Sequence, residues 1–147
     1  MGAVAKAPHE VAPGRALYRY RPKTSLLTPS EAAFYRALEL AVGHRFVVFA
    51  KVRMLDLCAD LERRTNFVAF TKVVSKHLDF VLCEPDGFRP VLAVELDDRS
   101  HLRQDRRRRD EFVDDVFRTM GIGLLHQWVC SSYDTSWIAR RVDAALL

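Results

Sequence analysis

The chain has 147 residues, of which 49% are hydrophobic and 29% charged. This composition is typical of one globular domain and excludes a disordered or low-complexity chain. The net charge is +4, but the cations concentrate in residues 1–27 and 99–109, so the rest of the chain is acidic. A polyanionic partner is one interpretation of this pattern, and a merely solvated basic face is the other.

Apolar runs are far shorter than the roughly 18 residues of a membrane-spanning helix. The run Phe46–Ala50, for example, is followed by Lys51 and Arg53. The first ten residues also lack the apolar segment of a secretory signal. We therefore expect no membrane contact and a cytoplasmic location.

The beginning of the chain predicts a tail followed by a single domain. Residues 1–25 show no apolar periodicity and contain Pro8, Pro13, Gly14 and Pro22, which predicts a flexible basic tail. The domain is expected to span residues 26–147. It opens with Thr28–Glu31, which combines a capping residue, a proline at the first helical position and a glutamate three residues after the cap. The spacing predicts a helix that ends at Gly43.

The rest of the chain alternates strand and helix patterns. A turn at residues 84–87 contains proline and glycine and joins two apolar, β-branched runs, so it predicts an antiparallel hairpin. Two short helices around a polar break are predicted between residues 53 and 77. We expect an α/β fold with a mixed central sheet flanked by helices. The predicted strands are 46–52, 78–83, 90–96 and 124–129, and the later helices are 105–120 and 136–147.

Two acids interrupt otherwise apolar strands, Asp79 near the start of one and Glu95 near the end of the next. A regular hairpin places Asp79 opposite Val94 or Glu95, so both carboxylates lie at the same end of the sheet. Asp97 shares a face with Glu95 because alternate strand residues point the same way. Clustered carboxylates repel each other unless a cation neutralises them, and Mg²⁺ or Mn²⁺ prefers oxygen ligands. The pattern indicates a metal site, and the alternative is that these acids pair with nearby arginines.

The string Asp79-Phe-Val-Leu-Cys-Glu-Pro-Asp-Gly, followed by Val94-Glu-Leu-Asp-Asp-Arg-Ser-His101, resembles the PD-(D/E)XK, or restriction-endonuclease-like, superfamily. Within it, the chain is most similar to a bacterial family of uncharacterised domains related to very short patch repair endonucleases. The resemblance covers about residues 26–142. Other segments that carry it are Leu27–Tyr35, Phe49–Arg53, Lys76–Leu82, Arg109–Asp115 and Gly121–Leu125.

This resemblance implies a restriction-endonuclease-like core and a metal-dependent nuclease that hydrolyses DNA phosphodiester bonds in repair, restriction or DNA processing. It implies that Asp79, Glu95 and the carbonyl of Leu96 bind Mg²⁺ or Mn²⁺. The family usually has a lysine two residues after the glutamate, where this chain has Asp97. The patch-repair branch also lacks that lysine and relies on histidine. Because Asp97 leaves the lysine role vacant, the alternative is a catalytically lapsed module that binds nucleic acid or a protein partner.

Histidines are the next candidates for proton transfer, because the pKa of histidine lies near neutrality. His101 follows Asp97 by four residues, just before the long helix. The alternative for His101 is a capping or surface role. The sequence identifies no partner for His126.

Arginines of the long helix are candidate phosphate contacts. Helical periodicity places Arg106 and Arg109 on its inward face, towards the acids or a substrate phosphate, and directs Arg103 away. The alternative for Arg109 is an ion pair with one of the acids. Together with Lys76, these arginines are the predicted nucleic-acid contacts, and targeting of duplex DNA rests on this basic surface or on a protein partner.

Glu31 has two interpretations. Periodicity places it on the same side of the first helix as the apolar stripe, and the resemblance implies that a glutamate of this helix joins the metal site. The alternative is the capping box with Thr28, which uses the same side chain.

Overall fold

The computed structural model describes residues 20–59, 64, 66–97 and 104–146, with side chains from Phe112 onwards in the last range. Residues 1–19 of the predicted tail therefore lie outside the described part of the chain. Elements follow in the predicted order. Strands are β1 (Val47–Arg53), β2 (His77–Cys83), β3 (Pro90–Asp97) and β4 (Gly123–Trp128), and helices are α1 (Pro29–Val42), α2 (Phe67–Val73), α3 (Gln104–Met120) and α4 (Thr135–Ala145). One 3₁₀ turn, Met54–Leu57, precedes α2 and is shorter than the helix predicted there.

The four strands form one mixed sheet in the order β1-β2-β3-β4. The first three strands are antiparallel, and β4 runs parallel to β3. Phe80 pairs with Val94, so one residue further along Asp79 stands opposite Glu95. The predicted register of the hairpin and the mixed α/β architecture are thereby confirmed.

Helices cover both faces of the sheet because the strands alternate apolar side chains between two cores. One core joins α1 and α4 to the sheet and includes Phe34, whose ring centroid lies 5.6 Å from that of Phe80. The other joins α3 and α2 to the opposite face and includes the fully buried Phe117. Within the described ranges, no helix is long and apolar enough to cross a bilayer.

Helix α1 begins where its capping signals predict. The Thr28 hydroxyl accepts the backbone N–H of Glu31 at 3.3 Å, and the Glu31 carboxylate accepts that of Thr28 at 2.8 Å. These reciprocal bonds satisfy backbone donors that an isolated helix end leaves unpaired. They also fix the Glu31 side chain at the end of the sheet where β1 and β2 carry charged residues.

Gly123 is required at the first position of β4 because α4 ends against it. A Cβ atom there would lie 2.1 Å from the carbonyl oxygen of Ala145 and 2.7 Å from Cδ1 of Leu92. We expect Gly123→Ala to lower the free energy of unfolding by about 2–3 kcal/mol, because backbone atoms of α4 must move. Gly87→Ala is the comparison: Gly87 has φ +75° and open space around it, so only about 1 kcal/mol of backbone strain is expected. Urea denaturation checks both, and equal losses would contradict the packing argument.

Candidate active site

Four ionisable residues lie in one row across the sheet. The flanking pairs of β1 and β2 place Lys51 opposite Asp79. Asp79 stands opposite Glu95 on β3, and Glu95 pairs with His126 on β4. Each strand therefore contributes one charged or titratable group to the same level of the sheet.

Lys51 bridges two carboxylates at this row. Its Nζ donates to Oε1 of Glu31 at 2.5 Å and to Oδ1 of Asp79 at 3.0 Å. The Glu31 and Asp79 side chains are only 14% and 18% exposed, so these ion pairs are better shielded than pairs on the open surface. Burial alone lowers the pKa of Lys51, but the two hydrogen bonds outweigh burial and raise it. Lys51 therefore contributes a positive charge to the row.

The backbone of Lys51 is itself unusual. Its φ is +57°, in the left-handed region that a lysine within a strand rarely adopts. Such conformations cost free energy and persist only where surrounding contacts stabilise them, often at functional sites. Here the two ion pairs of the side chain are the contacts that oppose the strain.

Asp79 connects the lysine to β3. While Oδ1 accepts from Lys51, Oδ2 accepts the backbone N–H of Leu96 at 2.9 Å. The carboxylate is thus held by two donors, and its plane is fixed beside the peptide that follows Glu95. This orientation brings the Asp79 carboxylate, Glu95 and the Leu96 peptide together.

Glu95 is the group of the row with the least favourable charge environment. Burial, followed by the negative charges of Asp79 and Asp97, raises the pKa of Glu95 to about 8, and His126 offsets only part of this rise. At neutral pH the carboxyl therefore retains a proton unless another cation approaches. Because burial and neighbouring negative charges disfavour the ionised form of Glu95, a cation bound beside it would gain a favourable interaction.

The capping interpretation of Glu31 is confirmed, and its place in a metal site stays a prediction. Oε2 accepts the Thr28 backbone N–H while Oε1 accepts from Lys51. Burial raises the pKa of Glu31, but the bonds from Lys51 and Thr28 outweigh it and the pKa is lowered. Glu31 therefore caps α1 and joins the site through Lys51.

His126 extends the row to α3. Its Nδ1 lies 3.2 Å from Oδ2 of Asp97, and its Nε2 lies 3.2 Å from Oδ1 of Asp114. Burial alone lowers the pKa of His126, but the hydrogen bond to Asp114 and the charge of Asp97 outweigh it and raise the pKa. The imidazole thus holds Asp97 and ties β3 and β4 to α3.

The remaining predicted residues are placed only in part. His101 and Arg103 lie outside the described residues. Arg106 and Arg109 belong to α3, but their side chains lie outside the described part, so their phosphate role stays a prediction. Lys76 precedes β2, and its Nζ lies 5.8 Å from the ring centroid of Phe112.

The donor chemistry of the site suits a hard divalent cation, although the present contacts involve a lysine. Asp79, Glu95 and the Leu96 carbonyl offer only oxygen, and Glu95 lacks a full counter-charge. Among the described residues, however, no three histidine, cysteine, aspartate or glutamate side chains form a group that could hold a metal ion. Asp79 now directs one oxygen to Lys51. The donor atoms are thus of the type that such a cation prefers, and a cation bound here would have to displace Lys51 from Asp79.

Sequence reasoning misses Lys51 and His126. In the sequence, Lys51 stands out only as an interruption of an apolar strand, and its two partners lie 20 and 28 residues away in the chain. His126 meets Asp97 and Asp114 only because β4 runs parallel to β3 and next to α3. A lysine inside a strand that pairs with an acid-bearing strand is the signal available for Lys51.

Stability should fall with rising pH because of Glu95. The pKa of this carboxyl is near 4.5 unfolded and about 8 folded, so between these values the folded state binds the extra proton. Its contribution, on the order of a few kcal/mol, is present below about pH 4.5 and is lost as pH rises towards 8. Urea denaturation in chelator at pH 5 to 8 should therefore show a smaller decline for Glu95→Gln than for the wild type. Parallel declines would contradict the raised pKa.

The fold and this site define a mixed α/β domain with a carboxylate–ammonium row at one end of its sheet. Residues 23–146 match the family described as "Protein of unknown function (DUF2726)", and the chain belongs to that family. Neither the curated proteins nor the solved structures give a significant match.

Proposed function

We propose that the domain is a metal-dependent nuclease that hydrolyses DNA phosphodiester bonds in repair, restriction or DNA processing. The observation that carries the proposal is the row of Lys51, Asp79 and Glu95, in which a shielded ammonium and two carboxylates meet at one end of the sheet. A mixed sheet flanked by helices is also the architecture that the resemblance to restriction-endonuclease-like proteins implies. That architecture supports a core of this type.

Asp79, Glu95 and the Leu96 carbonyl are the residues that would hold Mg²⁺ or Mn²⁺. A bound divalent cation supplies Lewis acidity, which stabilises charge on the phosphate and makes a water molecule more acidic. The hydrogen bond from the Leu96 N–H fixes the orientation of the Asp79 carboxylate, which would be one ligand of this cation. The chain also keeps Glu95 next to like charges, so that a cation gains favourable interactions there.

Lys51 is proposed to supply the ammonium that is missing at Asp97. In this position it neutralises charge on the phosphate or orients the attacking water, as the lysine after the glutamate does in the family that the chain resembles. Asp97, held by His126, completes the acidic end of β3. His101 remains the proposed proton-transfer group, and Arg103, Arg106, Arg109 and Lys76 remain proposed phosphate contacts.

One observation favours the second candidate, a lapsed nuclease-fold module that binds nucleic acid or a protein partner. Both oxygens of Asp79 already accept hydrogen bonds, from Lys51 and from the Leu96 N–H. An ammonium that permanently replaced the metal would leave a stable fold without chemistry. The two candidates differ in metal binding and in cleavage.

Cleavage assays decide between them. Single-stranded, duplex, mismatched and branched DNA should be incubated with the wild type and Mg²⁺ or Mn²⁺, and in parallel with chelator. The nuclease proposal predicts nicks or cuts in at least one substrate that chelator abolishes and Asp79→Asn removes. Binding of DNA without metal-dependent cleavage of any substrate would support the lapsed module instead.

A further inference from the structure

Strand β4 has β3 as its only neighbour in the described sheet, and its other edge faces away from the sheet. Val129 donates its backbone N–H to the Asp97 carbonyl at 2.9 Å. Because peptide groups alternate along a strand, those of His126 and Trp128 face the outer edge. We refer to this side of β4, with the side chains beside it, as the outer edge of β4.

Side chains already cover carbonyl groups of that edge. Arg141 Nη2 donates to the His126 carbonyl at 2.8 Å, and Gln127 Nε2 donates to the Trp128 carbonyl at 2.8 Å. The Cys130 thiol also reaches the Trp128 carbonyl at 3.4 Å. Another β-strand would need these acceptors, so the outer edge is poorly suited to pairing with a peptide or a second copy of the chain.

Aromatic side chains flank the same edge. Trp128 pairs with Asp97 in the register of the sheet and is 45% exposed. Trp137 of α4 is 37% exposed, and the guanidinium of Arg141 lies 5.0 Å from its ring centroid. Proteins that bind single strands stack bases on exposed aromatic side chains, and arginine adds cation–π contacts there.

Helix α4 brings the two tryptophans to the same end of the sheet. It runs antiparallel to β4, since Ala145 lies against Gly123 and Arg141 reaches His126. Trp137 lies one helical turn before Arg141 and therefore towards the Trp128 end. By strand alternation Trp128 shares the α3 face of the sheet with His126, whereas Trp137 belongs to α4 on the opposite face, so the two indoles flank the edge from its two sides. Trp128 stands opposite Asp97, so the α3 side of the edge adjoins the carboxylate site.

We propose that the outer edge of β4 binds a single-stranded segment of nucleic acid, with Trp128 and Trp137 stacking on its bases and Arg141 beside its phosphates. This inference rests on the proposed function, because it names the substrate form that reaches the carboxylate site. Bases in a continuous duplex are stacked on each other, so the indole faces are accessible only to unpaired bases.

The sequence makes a direct test available, because Trp128 and Trp137 are the only tryptophans of the chain. Intrinsic tryptophan fluorescence therefore reports on this surface alone. A single-stranded oligothymidylate of about ten nucleotides and a duplex of the same length are titrated into the wild type, Trp128→Phe and Trp137→Phe. Chelator is present throughout, so the measurement does not depend on cleavage.

Single strands should quench the fluorescence of all three proteins, and the duplex should quench it less. Trp128→Ala should weaken the affinity for the single strand by roughly ten- to hundredfold. The affinity is measured by the fluorescence anisotropy of a labelled oligonucleotide. Trp128→Leu, which keeps apolar bulk, should weaken it as well if the alanine variant does not fold. Phe88→Ala is the matched control, since Phe88 is 58% exposed in the turn at the opposite end of β2 and β3. The affinity of Phe88→Ala for the single strand should equal that of the wild type.

Three results would overturn the proposal: equal quenching by the duplex, single-strand binding that leaves both tryptophans unquenched, or unchanged affinity of the Trp128 variants. Quenching that follows protein concentration without DNA would instead identify an interface between two copies and would also overturn it. The proposed function fails separately. If Trp128→Ala loses single-strand binding but the wild type cleaves no substrate, the nuclease proposal is rejected and the binding surface is retained. If the wild type cleaves duplex DNA but single strands do not quench its tryptophans, the nuclease proposal is retained and the binding surface is rejected.

Discussion

Glu95→Gln is expected to reduce metal-dependent DNA cleavage by about a thousandfold or more, because loss of a metal-binding carboxylate removes several kcal/mol of transition-state stabilisation. The substitution keeps the size and shape of the side chain. It also replaces a carboxyl that burial and like charges already disfavour as an anion. The variant should therefore fold at least as stably as the wild type near pH 8. Single-turnover cleavage and urea denaturation, measured on the same preparations, check both expectations.

Glu84→Gln is the matched control for Glu95→Gln. Glu84 forms an exposed ion pair with Arg89 in the turn after β2, at the far end of the sheet from the site. Cleavage by this variant should equal that of the wild type. Full activity of Glu95→Gln, or an equal loss in both variants, would contradict the assignment of Glu95 to the metal site.

Lys51→Met is expected to have the second large effect on DNA cleavage. Loss of a positively charged group that acts on the phosphate or the water should slow cleavage by about 10²–10³-fold. The same change removes the cation that now occupies one oxygen of Asp79, so the affinity for Mn²⁺ should stay equal or increase. If Lys51 has only a structural role, Lys51→Met should lower the stability of the fold, and it should not slow cleavage while leaving the Mn²⁺ affinity equal or higher. Rate and Mn²⁺ affinity are measured by single-turnover cleavage and calorimetry.

Lys72→Met and Lys51→Arg sharpen this test. Lys72 lies on α2, with its Nζ 5.2 Å from the ring centroid of Phe112, and its loss should leave cleavage unchanged. Lys51→Arg keeps the charge and should retain more activity than Lys51→Met. A Lys51→Met enzyme as fast as the wild type would assign Lys51 to ion pairing alone.

Local signals in the sequence predict much of the fold. The capping residues before α1 and the glycine after it define that helix without tertiary information. Turn residues 84–87 limit the partner of Asp79 to Val94 or Glu95, and a register shift between Leu82 and Cys83, which the turn does not predict, accompanies the observed pairing with Glu95. Each of these features depends on residues close together in the chain.

Other features depend on contacts between distant segments, which periodicity does not reveal. Lys51 meets Asp79 because β1 pairs with β2, and Lys51 adopts a positive φ that no local residue preference predicts. His126 gains its partners only through the parallel pairing of β4 and the position of α3. The first short helix expected after β1 is only a single 3₁₀ turn. The candidate site is therefore half predictable: the carboxylates follow from the hairpin, and the basic groups follow from the tertiary fold.

Calorimetric titration of Mn²⁺ into the wild type and Asp79→Ala tests the central claim most directly, since both candidate functions share the fold and only one requires the metal. The wild type should bind one or two ions, and Asp79→Ala should bind them far more weakly, because Asp79 and Glu95 face each other across β2 and β3. Equal binding by the two proteins, or no binding by the wild type, would contradict a metal-dependent nuclease at this row.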